Sequence, residues 1–237
     1  MITLLRRLSG MQRTIALLIC AVALSGCTSA TTPPAIAGGP TSQPSAAPSH
    51  EGTRAYDGPP QGRAIAIFAG GCFWCLEGPF EAVPGVDDAI SGYTGGPELH
   101  PRYDEVARGR TGHVEAVLVQ YDPERVTYRE LLDVYWRQID PTDGGGQFAD
   151  RGPHYRPVIY VATEEERAQA TASRQELEAS GRFAGTIVVP IEDAETFWIA
   201  EDNHQNYYRT NPTHYQRYRV GSGRAGFLES TWSDEQN

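Results

Sequence analysis

The run Gly70-Gly71-Cys72-Phe73-Trp74-Cys75 constrains this chain more than any other, because one periodicity gives way to another there. Before it, Ala64 to Ala69 is a short apolar run of the kind a buried strand shows. After it, Phe73 to Val83 carries apolar residues at roughly helical spacing. The two glycines permit a tight turn, so Cys72 is expected at or beside a helix N-terminus. Free backbone N–H groups and the positive end of the helix dipole favour an anion in such a place, and a thiol there has a lowered pKa. Cys75, three residues on, shares the helix face and lies within reach. A nucleophile with a resolving partner fits this spacing. Two buried core cysteines fit it too, as does half of a zinc site, although no second cysteine pair exists to complete one.

The chain has 237 residues, 40% hydrophobic and 21% charged, enough for one domain with a core plus additional segments. Net charge is −10 and all 20 basic residues are arginine, scattered along the chain, which gives no nucleic-acid footprint. Arg6, Arg7 and Arg13 precede an apolar run from Ile15 to Leu24, too short to span a bilayer but suited to a signal-peptide core. That run ends in Leu24-Ser25-Gly26-Cys27, which resembles the bacterial lipobox; the resemblance implies lipidation of Cys27 after removal of residues 1–26. Met11 offers an alternative start. Thr28 at the next position, by the same analogy, implies outer-membrane sorting, with the protein anchored in the envelope and facing the periplasm. Cys20 leaves with the signal and Cys27 carries lipid, so Cys72 and Cys75 remain. Residues 27–61, rich in Thr, Ser, Ala, Pro and Gly, cannot bury enough surface to fold and read as a tether. The folded domain is expected over residues 62–237.

Within that domain Pro84-Gly85 reads as a turn and Val86 to Tyr93 as a strand. A Gly-rich loop and a short helical stretch to Arg108 follow. The 112–121 run alternates, which puts Glu115, Val117 and Val119 on one strand face. Thr127 and Glu130 form a capping box that opens a helix through Trp136, ended by Asp140-Pro141. A long polar loop runs to Tyr155, then a strand from Arg156 to Val161. A second capping box, Thr163 with Glu166, opens a surface helix to about Ser180. Ile187 to Pro190 is expected as a strand, and Ala194 to Tyr208 as a helix with Phe197, Trp198, His204 and Tyr208 facing inward. The Tyr- and Gly-rich tail from Thr210 to Trp232 reads as a long irregular wrap. Strands and helices mix without a dinucleotide-binding glycine motif: the fold class is α+β, with helices packed around a small mixed sheet.

GCFWC at 71–75, PGV at 84–86, GYTGG at 92–96, TGHVEAV at 111–117, DPT at 140–142, Tyr155-Arg156, AEDNHQ at 200–205 and GSGR at 221–224 together make the chain from Ile65 to Trp232 resemble the peptide methionine sulfoxide reductase A family. The resemblance implies a two-layer ferredoxin-like core and reduction of the S epimer of methionine sulfoxide. It implies Cys72 as nucleophile and Phe73 and Trp74 as walls of the pocket for the substrate methyl group. Glu115 takes the place of the carboxyl group that protonates the sulfoxide oxygen, and Tyr103 and Tyr155 those of the hydroxyls aimed at it. Asp150 corresponds to the aspartate that anchors the substrate backbone. His204 is assigned to the pocket as a helper, or to a structural role. The tail from Val220 to Asn237 has no cysteine, so Cys75 is the resolver, as in the GCFWC branch. Phe148-Ala149-Asp150-Arg151-Gly152-Pro153-His154-Tyr155 departs from the family's usual residues around Asp150, which bears on how peptide is held.

A sulfoxide is a poor electrophile until its oxygen receives a hydrogen bond or a proton, so proton donors must wait there. A carboxyl group serves only if its pKa is raised, as an apolar pocket would do. Oxygen transfer then leaves a sulfenic acid on Cys72, which Cys75 converts to a disulfide. An external dithiol restores the pair, and in an oxidising compartment a thioredoxin-like partner is expected to supply it. The chemistry requires no metal or organic cofactor, and a monomer is expected. The rival readings are a thiol–disulfide oxidoreductase and an envelope lipoprotein that only binds or scaffolds.

Overall fold

The computed structural model describes residues 53–233. The signal segment, Cys27 and the tether as far as residue 52 lie outside the described residues. The folded part begins earlier than residue 62, because Arg54–Ala55 already forms a strand, β1. Thr53, just before it, is buried and donates its hydroxyl to the carbonyl of Pro101 at 2.7 Å.

Strand β2 (Ala64–Ala69) is apolar on both faces and leads through Gly70 and Gly71 into helix α1 (Trp74–Glu81). Pro79 lies inside α1, so the carbonyl of Cys75 four residues back has no helical N–H to accept. Gly85, at φ +109, turns the chain into β3 (Val86–Thr94). A one-turn helix, α2 (Tyr103–Val106), precedes β4 (Val114–Tyr121). Thr127 and Glu130 cap α3 (Tyr128–Trp136) with both bonds of the capping box in place. The long polar loop folds on itself as a small hairpin, β5 (Gly146–Gln147) with β6 (Asp150–Arg151). Then come β7 (Val158–Val161) and α4 (Glu164–Ala179). Thr163 caps α4 through the N–H of Glu166, but the Glu166 carboxylate accepts from Ala162 rather than from the cap residue.

The central strands run β3-β4-β2-β7, all antiparallel, with α1 and α3 on one face. This is the βαββαβ arrangement of a ferredoxin-like core. Alternation sorts its side chains: Ala66 and Phe68 of β2 and Val117 and Val119 of β4 join the helix-facing core, while Ile67, Ala69, Ala116 and Leu118 face the other way. Phe68 is the hub, stacked on Phe80 of α1 and on Tyr135 of α3, each at 5.1 Å. Each such buried ring contributes roughly 1.5–3 kcal/mol.

The second half departs from its sequence reading. The strand expected at 187–190 lies slightly later, as β8 (Ile191–Asp193), parallel to β7, while Ile187 and Val189 are buried in extended chain before it. Residues 194–208 are not one helix. They form β9 (Trp198–Ile199), a 3-10 turn (Asp202–His204) and only then a one-turn helix, α5 (Tyr207–Thr210). Phe197 and Trp198 point into opposite cores, which a strand permits. β9 sits between β1 and β3, against Gly92, where a Cβ would stand 2.3 Å from the Trp198 carbonyl oxygen. The tail is helical rather than irregular, with α6 (Pro212–Gly221) and α7 (Arg224–Trp232) separated by Gly223 at φ +88. Helix α6 fully buries none of its residues, so its sequence carries no apolar stripe to reveal it.

Candidate active site

The β2–α1 junction depends on Gly71, whose φ of +82 suits glycine and whose missing Cβ would lie 2.7 Å from both Arg224 Nη2 and Gln147 Cβ. Cys72 and Cys75 beyond it are both free thiols and both buried. The expected thiolate seat is occupied differently. Phe73 is the N-cap of α1, and its N–H donates to Oε2 of Glu115 at 3.2 Å. The Cys72 and Cys75 thiols face each other as an interacting pair. Burial, that pairing and the Glu115 charge push the Cys72 thiol up rather than down. Cys75 moves the other way, because of its pairing with Cys72 and because Arg224 and Arg219 lie near enough to favour its anion.

Strand β4 aims Glu115 at this junction from the helix-facing side of the sheet. It is 1% exposed, and burial pushes its carboxyl up to about 8, with the charge of Asp150 adding to the effect. The Phe73 amide and the Tyr155 hydroxyl oppose that shift but do not overcome it. Near neutral pH the group is chiefly a carboxylic acid and can donate. Tyr103 is pushed up to about 12, first by burial and then by Glu115, and Tyr155 is raised further by the same causes in the same order. Both hydroxyls keep their protons.

Aromatic rings enclose the other side. Phe73 has His204 at 5.3 Å, Tyr93 at 5.9 Å and Tyr103 at 6.5 Å between ring centroids. His204 lies 4.2 Å from Tyr103 and 5.8 Å from Trp74, and burial lowers its pKa, which favours the neutral ring. Asp150 of β6 accepts the hydroxyl of Tyr218, from α6. The structure thus gathers Cys72, Cys75, Phe73, Trp74, Tyr103, Glu115, Asp150, Tyr155 and His204 around one junction. Surface cavities of about 200 and 370 Å³ lie elsewhere, both against Trp232, the first between α3 and α4 and the second beside α6 and α7, and none of these residues lines them. Among the described residues no set of three or more His, Cys, Asp or Glu side chains converges to hold a metal ion.

A family model described as peptide methionine sulfoxide reductase matches residues 64–236. The chain belongs to the peptide methionine sulfoxide reductase family. It is therefore an oxidoreductase that reduces methionine sulfoxide. Peptide methionine sulfoxide reductase MsrA of Bacillus pumilus (strain SAFR-032) is 54% identical over 171 residues, covering 72% of this chain and 96% of the relative. The enzyme of that name from Bacillus subtilis (strain 168) is 51% identical over 170 residues, with the same coverage of 72% and 96%. Among solved structures, methionine sulfoxide reductase A of Corynebacterium diphtheriae superposes with a TM-score of 0.57 at 34% identity, over 65% of this chain and 77% of that one. Reduced Mxr1 from Saccharomyces cerevisiae gives 0.60 at 28% identity, over 65% and 88%.

Sequence reasoning missed several residues that build this reductase's site. Glu201 accepts the backbone N–H of Tyr103 at 2.9 Å and the hydroxyl of Tyr93 at 2.8 Å, and so fixes the Tyr103 loop. Arg224, 1% exposed, donates to the carbonyl of Gly70 at 2.9 Å and to that of Gln138. AEDNHQ and GSGR, the family motifs that contain these two residues, were the signal available. Tyr207 and Tyr218 lie in the tyrosine-rich C-terminal region, where nothing in the sequence sets them apart.

Proposed function

We propose that this reductase acts on the S epimer of methionine sulfoxide, with Cys72 as nucleophile, Glu115 as acid and Cys75 as resolver. The observation that carries the reading is a buried, chiefly protonated Glu115 bonded to the amide that follows Cys72. The substrate methyl group rests against Phe73 and Trp74 with His204 beside them, and Asp150 holds the substrate backbone. The sulfoxide oxygen faces Glu115 and the hydroxyls of Tyr103 and Tyr155.

As Cys72 loses its proton and attacks, Glu115 gives its own to that oxygen, where charge would otherwise develop. The S–O bond to methionine breaks and an S–O bond to Cys72 forms. Methionine leaves reduced, Cys72 is oxidised to the sulfenic acid, and the thiol proton returns the carboxyl group to its acid form. The Cys75 thiolate then attacks Cys72. The S–S bond forms, and the hydroxyl leaves as water with a proton from Glu115, which solvent replaces. A thioredoxin-like dithiol exchanges with the disulfide and restores both thiols. With Cys27 lipidated, the enzyme serves oxidised proteins of the cell envelope.

An assay with separated sulfoxide epimers tests the reading. Wild type is expected to reduce the S epimer alone, and Cys72→Ser to reduce neither. Turnover of the R epimer, or by the serine variant, would contradict it.

A further inference from the structure

Glu77 lies three residues beyond Trp74 on α1, is fully buried, and takes no part in the proposed reaction. A carboxylate in such a place is strongly disfavoured unless partners satisfy it. Its partners come from far along the chain. The N–H of Asn206 donates to it at 2.9 Å and the N–H of Tyr207 at 3.3 Å. Asn206 stands in the left-handed region, at φ 53 and ψ 34, which is uncommon for a residue with a side chain. Successive amides around such a residue form a concave anion cradle, and here the anion is the protein's own. Tyr207 lays its ring on Trp74, 3.8 Å between centroids and 8° from parallel. The carboxylate thus grips the turn at the point where it covers the Trp74 wall.

We propose that Glu77 is a positioning residue: it holds the 206–207 turn from inside the fold and so sets the Tyr207 ring against Trp74 as the outer wall of the substrate methyl pocket. The inference rests on the proposed reading of that pocket. Glu77 acts through backbone amides, so it fixes where the ring lies independently of side-chain bonds made by the turn. The charges facing it are few. Glu81 on its own helix repels it, but Glu81 is engaged by Arg209 at 2.6 Å and by the Tyr208 hydroxyl of α5. From β3 the neighbour is the uncharged Ser91. Burial first, with Glu81 adding, pushes the Glu77 carboxyl up to about 7. Protonation in the neutral range weakens its grip on both amides.

The test uses the full chain, a peptide methionine sulfoxide and dithiothreitol as reductant. Glu77→Ala is expected to raise KM about tenfold, as loss of one wall contact does, with kcat within about threefold of wild type. Glu77→Gln, which keeps an acceptor oxygen for one of the two amides, should give a KM between those of Glu77→Ala and wild type. Adding Glu77→Ala to Tyr207→Leu should cost nothing further. Wild-type KM should rise below about pH 7, and that rise should be missing in Glu77→Gln. The inference is overturned if Glu77→Ala lowers kcat at unchanged KM, if its losses add to those of Tyr207→Leu, or if Glu77→Gln fails as Glu77→Ala does. Should Glu77→Ala not fold, persistence of the KM rise in Glu77→Gln overturns it. A wild type active on sulfoxide with Glu77→Ala indistinguishable from it sinks this inference alone. An inactive wild type sinks the functional reading as well.

Discussion

Phe73 and Glu115 are joined across the sheet–helix boundary: the amide that opens α1 donates to the carboxyl group of β4 at 3.2 Å. One bond therefore fixes Glu115, the proposed proton donor, relative to the residue that follows Cys72.

Glu115→Gln keeps the shape but removes the transferable proton. The chemical step is expected to slow by roughly 10²–10⁴-fold, measured as single-turnover sulfoxide reduction. In wild type that step should decline as pH rises through about 8, where Glu115 gives up its proton. The variant should lack this decline.

The same group sets a pH dependence of stability. Its carboxyl rises from the ordinary 4.5 to about 8 on folding, so the folded state holds the proton more tightly. The stability it contributes is complete below about pH 4.5 and is lost as pH climbs through 8. Glu115→Gln should resist urea better than wild type at about pH 9 and lose that advantage near pH 5. Each tenfold change in proton affinity is worth ~1.4 kcal/mol, so the gap amounts to a few kcal/mol.

Cys75→Ser should complete one turnover and stop with Cys72 as sulfenic acid, detectable by mass after trapping with a sulfenic-acid reagent. Sustained turnover with a dithiol protein as reductant would mean that another route to recycling exists.

Arg224 touches Gly70, Gln138 and the face of Phe148, the last at 4.6 Å. Arg224→Gln should raise the Cys75 pKa and slow disulfide formation at neutral pH. It should also destabilise the domain by about 2–4 kcal/mol, because buried carbonyls lose a fixed partner. Lysine is a poor substitute for a planar fork. Titration of thiolate ultraviolet absorbance in a Cys72→Ser background checks the first point; an unmoved Cys75 pKa would refute it.

Cys27→Ala should move the protein from the membrane to the soluble fraction of the cell envelope. Unchanged fractionation would rule out lipidation at this residue.

What the sequence disclosed follows from periodicity and capping. The alternation from Val114 to Tyr121 put Glu115 on one strand face with Val117 and Val119, the face that the structure turns to the helices, and Thr127 with Glu130 marked the start of α3. Elements of two residues have no period to read, so β9 was hidden, and nothing marked Phe197 and Trp198 as neighbours facing opposite ways. The lowered Cys72 pKa that a helix start predicts does not occur, because the helix-opening amide serves Glu115 and because burial dominates. Glu77 gave no sign either. A glutamate on a short helix is ordinarily solvated, and its partners lie some 130 residues away.

Pro79 gives the catalytic helix an uneven mechanical character. With no N–H offered to the Cys75 carbonyl, the turn that follows Cys75 is tethered more loosely than the rest of α1, whereas the N–H of Cys75 itself bonds the Cys72 carbonyl at 3.0 Å. In the proposed cycle the sulfurs of these two residues are drawn into a covalent link and released again. Compliance therefore lies just beyond the second sulfur, while Leu76 and Phe80 keep the helix seated in the core.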